Sequence, residues 1–240
     1  MQVVLLRVGI DTGSGGILGP IFPDGSFEYI PIPDGFRATG VDNRTYGNAR
    51  GRTGRPLIDY FPAGRRGKLE NQSVHFDPEF ETFTYGDPTA PKASLRRLTE
   101  GSLLVFYAGL EGWGFDCPPA LYIIAYFEVA RAGLASSYSR GDLDSMFRNN
   151  FHVMHGQVFD DQKERLVLVK GGTNSRLLKS AVKISSVGTD RNGHPLQRLA
   201  PEMQRLFGGF EGHTGIQRSP PRWVAPGFSL LAAEFVLSLR

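Results

Sequence analysis

Cysteine is almost missing from this 240-residue chain: Cys117 stands alone. No disulfide can form within it, and a reducing compartment is the expected setting. Long apolar runs are missing too. No stretch of 18 residues is apolar, and no basic segment followed by an apolar run of signal-peptide length opens the chain. Neither a membrane span nor secretion is expected, so the expectation is a soluble cytoplasmic protein. Strong net charge is lacking: 27 Lys and Arg against 24 Asp and Glu give a formal +3, so the distribution of charge says more than its sum. No Gly-Lys-Ser/Thr follows the one conspicuous glycine loop, which excludes a Walker A phosphate site.

Glycine and proline are plentiful, 30 and 16 residues. They point to many turns and long loops, and so to a mixed or β-rich architecture. With 40% hydrophobic residues the chain can bury a real core. Its length suits a single domain over 1–240, with 35–68 as a basic loop or insertion.

The first 34 residues organise the rest. Residues 3–10 (VVLLRVGI) have the length and β-branched content of a buried strand. It ends in Asp11-Thr12-Gly13-Ser14-Gly15-Gly16, whose glycines permit positive φ and close backbone approach to another molecule. Asp24-Gly25 reads as a tight turn into a second strand over 27–32. A core strand that delivers a donor-rich loop is where chemistry is often placed, although a purely structural glycine turn reads equally well. The loop resembles the aspartic-protease signature. That chemistry needs two carboxylates sharing a proton, and no second Asp-Thr-Gly or Asp-Ser-Gly is present. A homodimer could supply one, but the basic segments that follow serve no need of a protease. The loop also resembles the first phosphate-binding turn of the actin and sugar-kinase superfold, which normally takes two domains and a longer chain.

Residues 35–68 carry eight basic residues against two acidic ones, more positive charge than the whole chain's +3. Arg50, Arg52 and Arg55 lie among Phe36, Tyr46, Tyr60 and Phe61. Guanidinium forks suit phosphate oxygens and aromatic faces suit bases, so the composition fits a nucleic-acid or nucleotide contact loop; a solvated Gly/Arg loop is the plain alternative. Residues 71–87 then gather His75, Asp77, Glu79, Tyr85 and Asp87. His75 and Asp77 could bind a divalent metal or act as a base with its orienting carboxylate. Asp77-Pro78 and Asp87-Pro88 are equally turn formers.

Residues 103–110 (LLVFYAGL) and 121–129 (LYIIAYFEV) are expected to be two buried antiparallel strands, after one or two helical turns over 92–99. In order and pattern this stretch resembles the core of PUA-like and EVE-like barrels, whose strands frame a pocket for a base. Residues 142–150 read as a short helix with Asp142 at its N-cap. The following His152 and His155 have the His-x-x-His spacing of a helical metal pair. No acidic third ligand stands beside them, which argues against metal at that pair. RLVLVK over 165–170 is a strand, ending at Lys170 in a second glycine loop with Asn174 and Ser175 ready for an anion at a helix beginning at 176–178. Residues 181–187 suggest another strand and 196–207 a helix, with Pro201 starting it and Gly208 stopping it. Arg218, Ser219, Arg222 and Trp223 would make an anion and ring clamp. The apolar tail over 228–239 should be buried or form a subunit interface.

Taken together, LLRVGIDTGSGG, GPIF-x-DGSFEYIPIPD, H-x-DPEF-x-TFTYGD, LLVFYAGL, KGGTNSRLLKSAVKIS and QRSPPRW resemble the third class of nucleotide-modification-associated domains over almost the whole chain. The resemblance implies association with DNA or RNA base modification in bacteria, archaea and phages, and supplies no activity. The expected fold is α+β, a mixed or partly closed β-barrel, PUA- or EVE-like in its middle strands, with loops 11–16, 35–68, 71–87, 171–175 and 215–223 on one face. The expected function is nucleic-acid or nucleotide binding in a base-modification pathway. The alternative is an enzyme using Asp11, His75 and Asp77 as acid, base or metal residues. Candidate binding residues are Thr12, Ser14, Arg50, Arg52, Arg55, Tyr85, Lys170, Asn174, Ser175, Arg218, Ser219 and Arg222. Any metal or cofactor is left open, and a homo-oligomer through the apolar tail is an option.

Overall fold

The computed structural model describes residues 1–35, 42–189, 192–210, 212–217 and 220–240. The buried apolar run becomes β1 (Val3–Arg7). Two short strands follow, β2 (Gly19–Ile21) and β3 (Ile32–Pro33), and β4 (Val74–His75) pairs antiparallel with β3 by setting His75 opposite Ile32. After β5 (Thr84–Asp87) come the two densest apolar segments, β6 (Leu103–Gly112) and β7 (Ala120–Leu134), antiparallel as their sequence suggests. β8 (Val167–Gly171), β9 (Arg176–Lys183), β10 (Ser185–Thr189), β11 (Pro195–Leu199) and β12 (Arg222–Trp223) complete the strands. The α-helices are short: α1 (Ala63–Leu69), α2 (Arg140–Met146), α3 (Phe151–Met154), α4 (Gly156–Gln162), α5 (Pro201–Phe207) and α6 (Pro226–Ser238).

The principal sheet runs in the order β12-β1-β6-β7-β8-β5, with β2 also on β6 and β9 also on β7. It is mixed, since β1 and β2 run parallel to β6 while β7 opposes it. The α+β expectation holds, but among the described residues the sheet is open rather than a partly closed barrel. A barrel requires its end strands to meet. Here the ends are β12, which pairs through two residues, and β5, which pairs through four. The long β7 gives its outer edge first to β9 and then to β8, with register shifts in both ladders.

Local details depart from the sequence reading for identifiable reasons. Residues 176–178 open a strand instead, because after the turn at 172–175 the chain pairs with β7, Arg176 opposite Tyr126 and Leu177 opposite Ala125. Residues 195–199 also pair as a strand before Pro201 starts α5, and Gly208 ends that helix at φ 68°. Ser139, not Asp142, caps α2; Asp142 sits at the third helical position and completes a capping box. In the basic segment Tyr46, Tyr60 and Phe61 do not offer faces to bases. They are buried with Ile10, Ile17, Ile30 and Val74 in a second apolar cluster beneath the glycine loop. Phe36 lies outside the described residues.

α6 buries Ala232, Ala233 and Val236 and leaves Leu230, Leu231 and Leu237 exposed. No helix among the described residues is long and apolar enough to cross a membrane.

Candidate functional site

Parallel pairing of β1 with β6 fixes where β1 stops, and its loop opens onto a cavity of about 690 Å³. The β3–β4 ladder brings His75 and Asp77 to the same cavity, β5 supplies Tyr85 and Asp87, and α3 supplies His152. Arg7, Ser14, Thr89, Lys92 and Gln217 add to the polar part of its wall. Asp11 and the sequence-distant His75 and Asp77 therefore line one space. Among the described residues three of the five anticipated loops reach it: 11–16, 71–87 and 215–223.

Asp11 is held mainly by its own loop. Its Oδ1 accepts hydrogen bonds from the amides of Gly13 and Ser14, both at 2.8 Å, and from the Ser14 hydroxyl. Its Oδ2 lies 3.5 Å from the Arg7 guanidinium, which also donates to the Gln217 carbonyl. The Gly13 and Ser14 amides are thus turned onto Asp11 itself, and Asp11 and Ser14 are the loop residues on the cavity wall.

Asp77 is a different kind of carboxylate. Its side chain is 3% exposed and accepts the Gly86 amide at both oxygens, 3.0 and 2.9 Å. His152 Nε2 stands 3.5 Å from Asp77 Oδ2, and His75 Nε2 stands 3.9 Å from the same atom. One ligand atom from each of the three residues falls within 4.8 Å of the others. Among the described residues neither Nε2 has a hydrogen-bond partner, and both are buried. An unmet buried polar atom costs about 1–3 kcal/mol, so two of them side by side call for a function.

Burial decides the charges. It raises the Asp77 carboxyl well above the usual carboxylate range, against the opposing Gly86 hydrogen bonds. It pushes the His75 imidazole down to about 3, with the neighbouring His152 and His155 rings adding to the effect. It lowers His152 as well, against the hydrogen bond to Gln162. Two neutral imidazoles beside a carboxyl that burial drives towards its neutral form can pass a proton, or can take up a cation that ionises the carboxyl.

The surroundings fix these rings. His152 Nδ1 donates to Gln162 Oε1 at 2.7 Å, which leaves the Nε2 lone pair facing Asp77. Asn150 caps α3 by accepting the His152 amide at 3.1 Å. The His75 ring stacks on Phe151, centroids 3.8 Å apart and planes 28° from parallel. Gly86 permits the approach, since a Cβ there would lie 2.9 Å from Asn150 Oδ1 and 3.0 Å from His152 Cδ2. Also on the cavity wall, the Tyr85 hydroxyl and Lys92 Nζ both donate to Asp87 Oδ2, at 3.0 and 3.2 Å.

The remaining anticipated residues lie elsewhere. Thr12 is exposed on the loop and does not line the cavity. Arg50 and Arg52 border a second cavity of about 600 Å³, next to Glu28 and Phe76. Arg52 donates to the Leu178 carbonyl, while Arg55 is exposed. Lys170 donates to the Thr82 carbonyl, Asn174 to Glu128 Oε2, and Ser175 accepts the Glu128 amide. Arg222 lies on β12 opposite Leu5, within 3.4 Å of His213 Nε2. Arg218 and Ser219 lie outside the described residues.

Residues 2–227 match the family model of nucleotide modification associated domain 3. The chain belongs to this family. No curated protein and no solved structure matches the chain. His152 is the residue in the cavity that sequence spacing argues against. Spacing looks for its partner within one helix, where His155 stands. The partners are on β4 and beyond it, and the usable signal is that His75-x-Asp77 itself lacks a third ligand.

Proposed function

We propose that the cavity at the end of β1 binds a nucleotide, free or within a nucleic-acid strand, and that the protein acts on it as an enzyme of nucleotide modification. The observation that carries this is the convergence of His75, Asp77, Tyr85 and the Asp11 loop on one cavity. Its volume falls within the range of about 300–1,000 Å³ usual for small-ligand sites. Arg7 and Lys92 border it as cations, each already beside a carboxylate, so a phosphate would share them rather than meet them bare. The family's association with nucleotide modification supports a nucleotide as the ligand.

Turnover, rather than recognition alone, is favoured by the buried trio. A pocket that merely read a base would gain little from a carboxyl driven neutral beside two unprotonated imidazoles, whereas shifted groups in a cleft mark sites of chemistry. In this assignment the His75–Asp77–His152 trio supplies the chemistry, and Asp11 keeps Ser14 at the wall through its own hydrogen bonds. Calorimetric titration with nucleoside monophosphates and short oligonucleotides tests the proposal. At least one should bind, and His75→Ala should weaken it by about tenfold or more, or 1.4 kcal/mol. Failure of every nucleotide and oligonucleotide to bind, or equal affinity in the variant, would overturn it.

A further inference from the structure

We propose that His75 Nε2, His152 Nε2 and one carboxylate oxygen of Asp77 bind a divalent first-row transition-metal cation at the wall of this cavity. This deepens the function proposed above, since it names the cofactor of the same site, but it stands on its own geometry.

Two donor atoms about 2.1 Å from one ion lie roughly 3.0 Å apart at a right angle and 3.4 Å apart at a tetrahedral angle. The Asp77 oxygen stands 3.5 Å from one ring nitrogen and 3.9 Å from the other, and all three ligand atoms lie within 4.8 Å. Small side-chain movements would close the set on an ion. The donors are ready in a second sense. The His152 side chain is 2% exposed, and its Nε2, like that of His75, has no hydrogen-bond partner among the described residues. A polar cluster built only for stability would pair these nitrogens with protein donors.

The support around the ligands is that of a metal site. Ligating imidazoles characteristically donate their other nitrogen to a fixed acceptor. His152 does so, giving Nδ1–H to Gln162 Oε1 at 2.7 Å. Two nitrogens and one oxygen select a transition metal over magnesium or calcium, which prefer all-oxygen sets. Three protein ligands on an open cavity leave coordination positions for water or substrate, as catalytic metal sites do.

The test uses the full chain, stripped with a chelator and titrated with Co²⁺ without nucleotide. One equivalent should bind per chain, with visible d–d absorption characteristic of nitrogen and oxygen ligation, and Zn²⁺ should displace it. His152→Ala should abolish that absorption, while His155→Ala, on the neighbouring ring outside the trio, should keep it. Should His152→Ala fail to fold, Asp77→Asn serves the same purpose, and the wild-type spectrum alone still decides whether nitrogen ligands are present. No stoichiometric binding, or an unchanged spectrum in both His152→Ala and Asp77→Asn, would overturn the proposal. Nucleotide titration of the chelated protein runs separately, so loss of the metal site and loss of the nucleotide site are told apart.

Discussion

His152 Nε2 faces Asp77 Oδ2 at 3.5 Å, while the opposite nitrogen of the same ring is tied to Gln162 Oε1 at 2.7 Å. One side chain thus links a buried carboxylate to an amide on α4, and its orientation is set from behind. The consequences of that linkage can be measured.

Gln162→Ala removes the acceptor of His152 Nδ1–H without touching the cavity. Outer partners of metal-bound imidazoles are worth about 10- to 100-fold in metal affinity. The Co²⁺ affinity of this variant should fall within that range, with stoichiometry still one per chain. Equal affinities for variant and wild type would show that Gln162 does not position the ring.

Gly86→Ala tests the close approach of β5 to α3. The added methyl would meet Asn150 Oδ1 at 2.9 Å and His152 Cδ2 at 3.0 Å. Overpacking of this kind costs about 1–3 kcal/mol. Denaturant unfolding should show that loss, with weakened Co²⁺ binding alongside it. A variant of wild-type stability and affinity would mean that the Asn150–His152 turn yields freely.

What is legible in the sequence depends on where each interaction lies along the chain. β1, β6 and β7 are readable because apolar run length is a local signal, and the Asp11 loop because glycine spacing is. The open sheet is not, since closure depends on which strands end up at the edges and on β7 changing partners midway. Residues 176–178 read as a helix start because a glycine loop precedes them; their strand conformation is set by pairing with the distant β7. Tyr46, Tyr60 and Phe61 look like base-stacking groups among arginines, but composition cannot show that they pack under the loop. For the site, His75, Asp77 and Asp11 can be named from their own neighbourhoods. His152 cannot, because its partners are contributed by a distant ladder.

Glu28 offers a pH test away from the cavity. Burial holds its carboxyl above the ordinary carboxylate range, against hydrogen bonds from the amides of Arg52 and Thr53. The folded chain therefore keeps a proton that the unfolded chain has lost. Its contribution to stability is greatest below the unfolded value, near 4.5, and declines as pH rises through the raised folded value. Wild-type stability minus that of Glu28→Gln should fall as pH rises from about 4.5. A pH-independent difference would contradict the raised carboxyl.

A nucleic-acid strand at the cavity would have a second role for the basic segment, whose Arg50 and Arg55 are exposed. Each phosphate that is no longer neutralised should flatten the dependence of log affinity on log salt by about 0.7–0.9. Arg50→Ala with Arg55→Ala should therefore reduce the slope for oligonucleotides by up to about two such steps and leave mononucleotide affinity unchanged. An unchanged slope would remove this segment from the interface.

The most direct measurement is anomalous diffraction at the zinc edge from crystals of the full chain grown with Zn²⁺. The expected result is a single strong peak about 2.0–2.2 Å from His75 Nε2, His152 Nε2 and an Asp77 carboxylate oxygen. Crystals that diffract well and show no peak between these three side chains would contradict the metal centre.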